Sequence, residues 1–152
     1  MKKINSFLLL AIIAVIPAFS QAEKVVGIWL TGEGTSQVKI YKATDGKYYG
    51  KIVWLEEPNN EDGTPKVDDQ NPDIKLQNKP ILNLLILKSF TYDEANKQWI
   101  DGRIYDPNNG KTYDCYMWFE NDPKTLHIKG YVMGMRFLGR ETAWKKEDKL
   151  RE

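Results

Sequence analysis

The chain carries one cysteine and one histidine, Cys115 and His127. A thiol beside an imidazole is a pairing that makes an activated nucleophile, so these two positions come first. They fall in two apolar runs, 111–120 and 125–132, joined by the turn signal Asn121-Asp122-Pro123. Directly opposed residues of an antiparallel pair face the same side. Matching the series Tyr113, Cys115, Met117, Phe119 to Leu126 and Ile128 puts His127 on the other face, with Lys129. In that register no dyad forms, and a slip of one residue would reverse the result. Cys115 then reads as a small core hydrophobe and His127 as a solvated surface residue.

Carboxylates are the next candidates. Asp101 and Arg103 alternate with Trp99 and Tyr105, and Thr112, Asp114, Tyr116 and Trp118 make a second mixed face on the following run. Two carboxylates on adjacent strands could serve acid–base chemistry of the glycosidase kind. Cross-strand ion pairing on an outer wall explains the same pattern, and nothing in the sequence supplies a cleft or a raised pKa. Asp106-Pro107-Asn108-Asn109-Gly110 is rich in oxygen donors but lacks the spacing of a calcium loop. It reads as a hairpin turn, with Asp106 and Asn108 bonding local amides and Gly110 at positive φ. The acidic stretch 56–73 has no recognised ligand spacing. One Cys excludes an internal disulfide and multi-Cys metal sites, and one His excludes His-rich ones. The expectation is a protein that is not an enzyme, with no metal and no cofactor.

The elements that would position these groups are short. Eight runs rich in Val, Ile, Tyr and Trp are expected as strands: 25–31, 37–43, 47–54, 81–92, 98–105, 111–120, 125–132 and 136–145. The links between most of them are Gly, Asn, Asp and Pro turns, too short for parallel crossovers. An all-β, eight-stranded antiparallel up-and-down barrel follows, because closure removes both exposed edges. One link, 55–80 between strands 3 and 4, is long and contains four prolines. A loop of that length serves either as a lid or as a seal over one barrel end, and a short helix near 78–85 is compatible with it.

The first 22 residues read as an address. Met1-Lys2-Lys3, an apolar run over 7–16, Pro17 and the small-residue exit Ser20-Gln21-Ala22 make a secretory signal peptide cleaved after Ala22. The single domain is then 23–152, with 20 basic and 21 acidic residues among 130. A near-neutral domain has no bulk attraction for nucleic acid. The expected location is the periplasm or the medium, with no integral membrane segment after cleavage.

Gly27-Ile28-Trp29 has the Gly-x-Trp form found at the start of lipocalin-type barrels, and Gly139-Arg140 stands where such barrels set an Arg against that Trp. The whole domain also resembles a family of small secreted bacterial domains of unknown function with a lipocalin-like, or calycin-like, barrel. The segments that carry the resemblance are Gly27-Ile28-Trp29, Gly50-Lys51-Ile52-Val53-Trp54-Leu55, Asp69-Gln70-Asn71-Pro72-Asp73, the run 102–113 and Leu138-Gly139-Arg140-Glu141-Thr142-Ala143-Trp144. The resemblance implies export and a barrel closed by Gly27, Trp29 and Arg140; it implies no reaction. Only seven residues follow Lys145, too few for the long C-terminal helix of lipocalins.

Two readings of function stay open. One is a barrel that binds a small amphipathic ligand at its open mouth, with Trp54 and Tyr105 packing on it and Asp69 and Asn71 supplying polar contacts. Asp69 and Asn71 could equally cap turns beside Pro72. The other is an envelope interaction or structural protein with a side-chain-filled barrel, for which a contiguous exposed aromatic face is the expected mark.

Overall fold

The computed structural model describes residues 20–152. All of the expected leader except Ser20-Gln21-Ala22 lies outside the described residues. Eight strands close an antiparallel barrel in sequence order: β1 Gly27–Leu30, β2 Ser36–Lys42, β3 Tyr48–Leu55, β4 Leu85–Asp93, β5 Gln98–Asp106, β6 Lys111–Phe119, β7 Thr125–Tyr131 and β8 Arg140–Glu147. β1 closes the ring on β8, with Trp29 opposite Lys146.

The register follows the apolar alternation. Cys115 faces Gly130, Met117 faces Ile128 and Phe119 faces Leu126, while Trp118 opposite His127 takes the outer face. The inner set is large and aromatic: Trp29, Tyr48, Phe90, Trp99, Met117 and Leu126 are each at most 2 % exposed. Trp99 packs edge-on to Phe119 at 5.5 Å and tilted against Tyr92 at 4.9 Å, geometries that aromatic quadrupoles favour. Among the described residues no buried side-chain nitrogen or oxygen lacks a hydrogen-bond partner.

β5 departs from simple alternation. Asp101 has φ +59° and the register shifts between Trp99 and Gly102. The bulge keeps Trp99, Gly102 and Ile104 on the inner face and turns Arg103 and Tyr105 outward. Trp99 is therefore not on the face of Arg103 and Tyr105, as a strict period of two had suggested.

Two element boundaries also differ from expectation. β4 starts at Leu85 rather than 81, and 136–138 is a 3-10 turn, so β8 begins at Arg140. No helix forms near 78–85: Pro80 removes a donor, and Asn83 sits at φ +70°. A 3-10 turn forms earlier, over Ile74–Leu76, where the Asp73 side chain accepts from the Lys75 amide.

The two barrel ends are built differently. At the base, where β1, β3, β5 and β7 begin, a 3-10 turn over Gln21–Val25 plugs the opening. Buried indole N–H groups need acceptors. Trp29 Nε1 donates to the Val25 carbonyl at 2.8 Å and Trp99 Nε1 to the Ala22 carbonyl at 3.2 Å. Glu23 adds an ion pair with Lys42 at 2.9 Å and accepts from the Tyr48 hydroxyl at 3.3 Å. The other end, the mouth, gives rise to the connections 31–35, 56–84, 107–110 and 132–139.

Candidate functional site

The residues proposed from sequence do not meet at one place. Tyr105 and Asn71 converge, but on Asp68 rather than Asp69. The Tyr105 hydroxyl donates to Asp68 Oδ1 at 2.7 Å and Asn71 Nδ2 donates to Asp68 Oδ2 at 2.7 Å. Asp68 is fully buried, and burial together with the Asp68 carboxylate pushes the Tyr105 phenol well above its ordinary range. Tyr105 pairs with Thr112 on the outer face, so the long connection is pinned against the outer wall through Asp68. Asn71 also closes a local turn, accepting from the Asp73 amide at 2.9 Å. Asp69 is exposed, and its carboxylate accepts from the side-chain Nε2 of the neighbouring Gln70 at 3.3 Å.

Trp54 lies elsewhere on the outer wall. Its Nε1 donates to the Glu152 carbonyl at 3.1 Å, and the Arg151 guanidinium stands 5.3 Å from its ring centre. The C-terminal segment folds back over β2 and β3 here. Gln37 is buried beneath it, donating to Glu147 and to the Lys149 carbonyl at 3.1 Å and accepting from the Arg151 amide at 2.9 Å.

The closure assignment needs one correction. Trp29 is buried at the β1–β8 seam, but Arg140 is not against it: its side chain is 91% exposed, and its nearest acid is Glu33 at 4.0 Å. Lys146 takes that place. Its Nζ lies 5.2 Å from the Trp29 ring centre and donates to the carbonyls of Lys24 and Val26 at 3.3 and 3.4 Å. Gly27, at φ +143°, makes room for it, since a Cβ there would come within 3.2 Å of Lys146 Cε. The stagger of a barrel explains the swap: the first strand meets the last turn of the final strand, not its start.

The possible catalytic pairs resolve into structure. Cys115 is buried and its thiol is pushed far up by desolvation, while His127 is on the opposite face between Glu141 at 3.2 Å and Glu120 at 3.9 Å. Arg103 and Asp114 face each other across β5 and β6 at 4.0 Å on the outer wall. In the 106–110 turn Asp106 accepts from the Asn108 amide at 3.0 Å, whereas Asn109, not Asn108, accepts from the amide of Lys111 at 2.9 Å.

Two surface features were not singled out as sites. On the outer wall of β6 and β7 the rings of Tyr116, Trp118 and His127 stack at 5.0 and 5.3 Å. Arg136, from the last mouth connection, covers the Tyr116 ring at 4.5 Å. The second feature is at the mouth, where large apolar side chains stand in solvent: Met133 is 86%, Phe137 78% and Ile74 78% exposed, with Leu138, Val132, Leu76 and Leu82 at 40% or more. From sequence, Val132 read as the end of one strand and Arg136–Leu138 as the start of the next, with a turn between them, which hid the exposure of this run.

The protein family described as "Uncharacterized protein conserved in bacteria (DUF2147)" matches residues 27–146. The chain belongs to this family. No curated protein sequence matches it. Among solved structures it is similar to protein HP1028 from the human pathogen Helicobacter pylori, described as belonging to the lipocalin family. The two share 23% identity over 80% of this chain and 82% of the other, with a TM-score of 0.65. At that identity the likeness shows the fold: a lipocalin-like, closed eight-stranded barrel. Among the described residues no helix is long and apolar enough to cross a membrane.

Proposed function

We propose that this family member is an exported barrel, periplasmic or secreted, that works as an envelope interaction protein through its outer surface. The carrying observation is the contrast between an interior occupied by Trp29, Trp99, Tyr48, Phe90 and Met117 and apolar exposure gathered on the mouth connections. Large apolar side chains gathered in solvent mark an interaction site. Export rests on the sequence of the first 22 residues, and the absence of an assembled catalytic pair among the described residues speaks for binding rather than turnover. Native mass spectrometry of protein recovered from the envelope tests the reading. A mass equal to the polypeptide alone is expected; a stoichiometric small molecule inside the barrel would defeat it.

A second reading keeps the small amphipathic ligand. Ile104 and Tyr113 face inward near the mouth and are only half-buried, which leaves an aromatic ring and a branched side chain for a small guest. Under that reading Tyr113→Ala weakens retention of the co-purified molecule, while Met133→Ser leaves it unchanged.

A further inference from the structure

Two buried indole N–H groups meet the chain at the base of the barrel, and cleavage after Ala22 treats them differently. Trp29 Nε1 donates to the Val25 carbonyl, which stays. Trp99 Nε1 donates to the Ala22 carbonyl at 3.2 Å, and Ala22 leaves with the leader. The Trp99 ring is not free to turn toward another acceptor. Tyr48, Tyr92 and Phe119 pack around it at 6.4, 4.9 and 5.5 Å, and the residue is 1% exposed. A buried donor stripped of its acceptor costs free energy until its place is refilled. The chemistry of the cut sets what can refill it. Hydrolysis adds water across the Ala22–Glu23 amide, leaving a carboxylate on Ala22 and, at neutral pH, an ammonium on Glu23. That ammonium is held in position. The Glu23 carboxylate pairs with Lys42 at 2.9 Å and accepts from the Tyr48 hydroxyl at 3.3 Å, and the Glu23 carbonyl accepts from the Val26 amide at 3.0 Å.

We propose that the mature base is a binding site for the C-terminal carboxylate of a peptide that ends in a small residue. This site rests on the export reading given above, since it exists only in a chain cleaved after Ala22. Two donors, the Trp99 indole N–H and the Glu23 ammonium, converge on the point where the Ala22 carbonyl oxygen stood. The nitrogen and oxygen of an amide are about 2.3 Å apart. A small separation therefore brings the ammonium and an incoming carboxylate to the spacing of a charge-assisted hydrogen bond. The chain's own residues 20–22 show how such an end sits. Ala22 is half-buried and packs against the core, while Ser20 and Gln21 are exposed. Contact thus reads only the last residue: its carboxylate through two donors, and its side chain through the apolar floor. Capture of a terminal carboxylate by backbone and side-chain N–H donors is a recurring mode of peptide recognition. Donors fixed in advance, as Trp99 and Glu23 are, lower the ordering cost of binding.

Protein recovered from the envelope, sequenced from its N-terminus, is titrated with the tripeptide Ser-Gln-Ala while its indole N–H resonances are followed by heteronuclear NMR. The chain has five tryptophans. The indole signal that Trp99→Phe removes is expected to shift most. The dissociation constant should rise at least about tenfold for the same tripeptide with an amide end, which brings no charge to the ammonium. It should also rise at least about tenfold for Ser-Gln-Phe, whose ring does not fit where Ala22 packs. Trp99→Phe keeps a ring in place but removes the donor, and should weaken binding at least about fivefold. The peptide comparison on the unaltered chain is decisive even if that variant fails to fold. A start other than Glu23 defeats the cleavage and the site together. With a start at Glu23, an unmoved set of indole signals, or equal affinity for the acid and the amide, overturns the site alone and leaves water in the vacated space. The outer-surface reading is separate: it fails only if native mass spectrometry of the protein as recovered finds a ligand inside the barrel.

Discussion

The base and the mouth of this barrel solve opposite problems with the same strands. At the base, the Trp29 indole N–H, the Lys146 ammonium and the Tyr48 hydroxyl are all spent on residues 23–26, which the expected cleavage after Ala22 leaves in place, and the turns between strands are short and polar. At the mouth, two of the four connections, 56–84 and 132–139, carry large apolar side chains that burial would reward and that stand in water. The contrast teaches that stability and interaction are divided between the two ends. A residue at the base is expected to matter for folding, and an apolar residue at the mouth only for what the protein touches.

The sharpest way to break that division is Trp99→Ala, which removes a ring packed between Tyr48, Tyr92 and Phe119. It should lower the unfolding free energy in urea by about 3–5 kcal/mol, whereas Phe137→Ser should stay within about 0.5 kcal/mol of wild type. Comparable losses at both ends would end the comparison. Next in size is Tyr105→Phe, which removes a donor from the buried Asp68 carboxylate. A cost of about 1–3 kcal/mol is expected, together with faster proteolysis within 56–84 as the connection loosens from the wall. Lys146→Met should cost about 1 kcal/mol through the lost cation–π contact with Trp29. Arg140→Ala should cost less than about 0.5 kcal/mol, and the reverse order would return the seam to Arg140.

The smallest effect is in acid. Hydrogen bonds from Arg151, and then from Gln37, hold the Glu147 carboxyl below its ordinary value of 4.5. A carboxylate with a depressed folded pKa stabilises the folded form fully above its unfolded value and loses that contribution as pH falls through the lower, folded one. The C-terminal segment should therefore stay on Trp54 through the ordinary carboxylate range and lift off only below pH 4.5. Indole fluorescence, compared with that of Arg151→Gln, reports the release.

The barrel itself was legible because short Val-, Ile-, Tyr- and Trp-rich runs recur between turn signals, and matching Tyr113/Cys115/Met117/Phe119 to Leu126/Ile128 yields the observed β6–β7 register. Three features were not legible, for separate physical reasons. The Asp101 bulge uses a non-glycine residue at positive φ, which leaves no mark in the sequence, and it reverses the face of every residue after it. Asp68 differs from Asp69 only in which of two adjacent carboxylates points under the connection, and a loop has no period to decide that. Lys146 rather than Arg140 meets Trp29 because barrel shear displaces the last strand along the first, a quantity set by the whole ring.

Gly102 has a further consequence. A Cβ at this position would collide with the Phe90 ring, and at Gly50 it would come within 2.8 Å of Leu87. In both cases a glycine on one strand sits under a large side chain from the neighbouring β4. Volume is thus exchanged in pairs across β4, so neither member is free to drift alone. Among related sequences, a larger residue at position 102 should appear with a smaller one at 90, and the same should hold for 50 and 87. Homologues aligned over this region would record the barrel's girth as two pairs of linked columns.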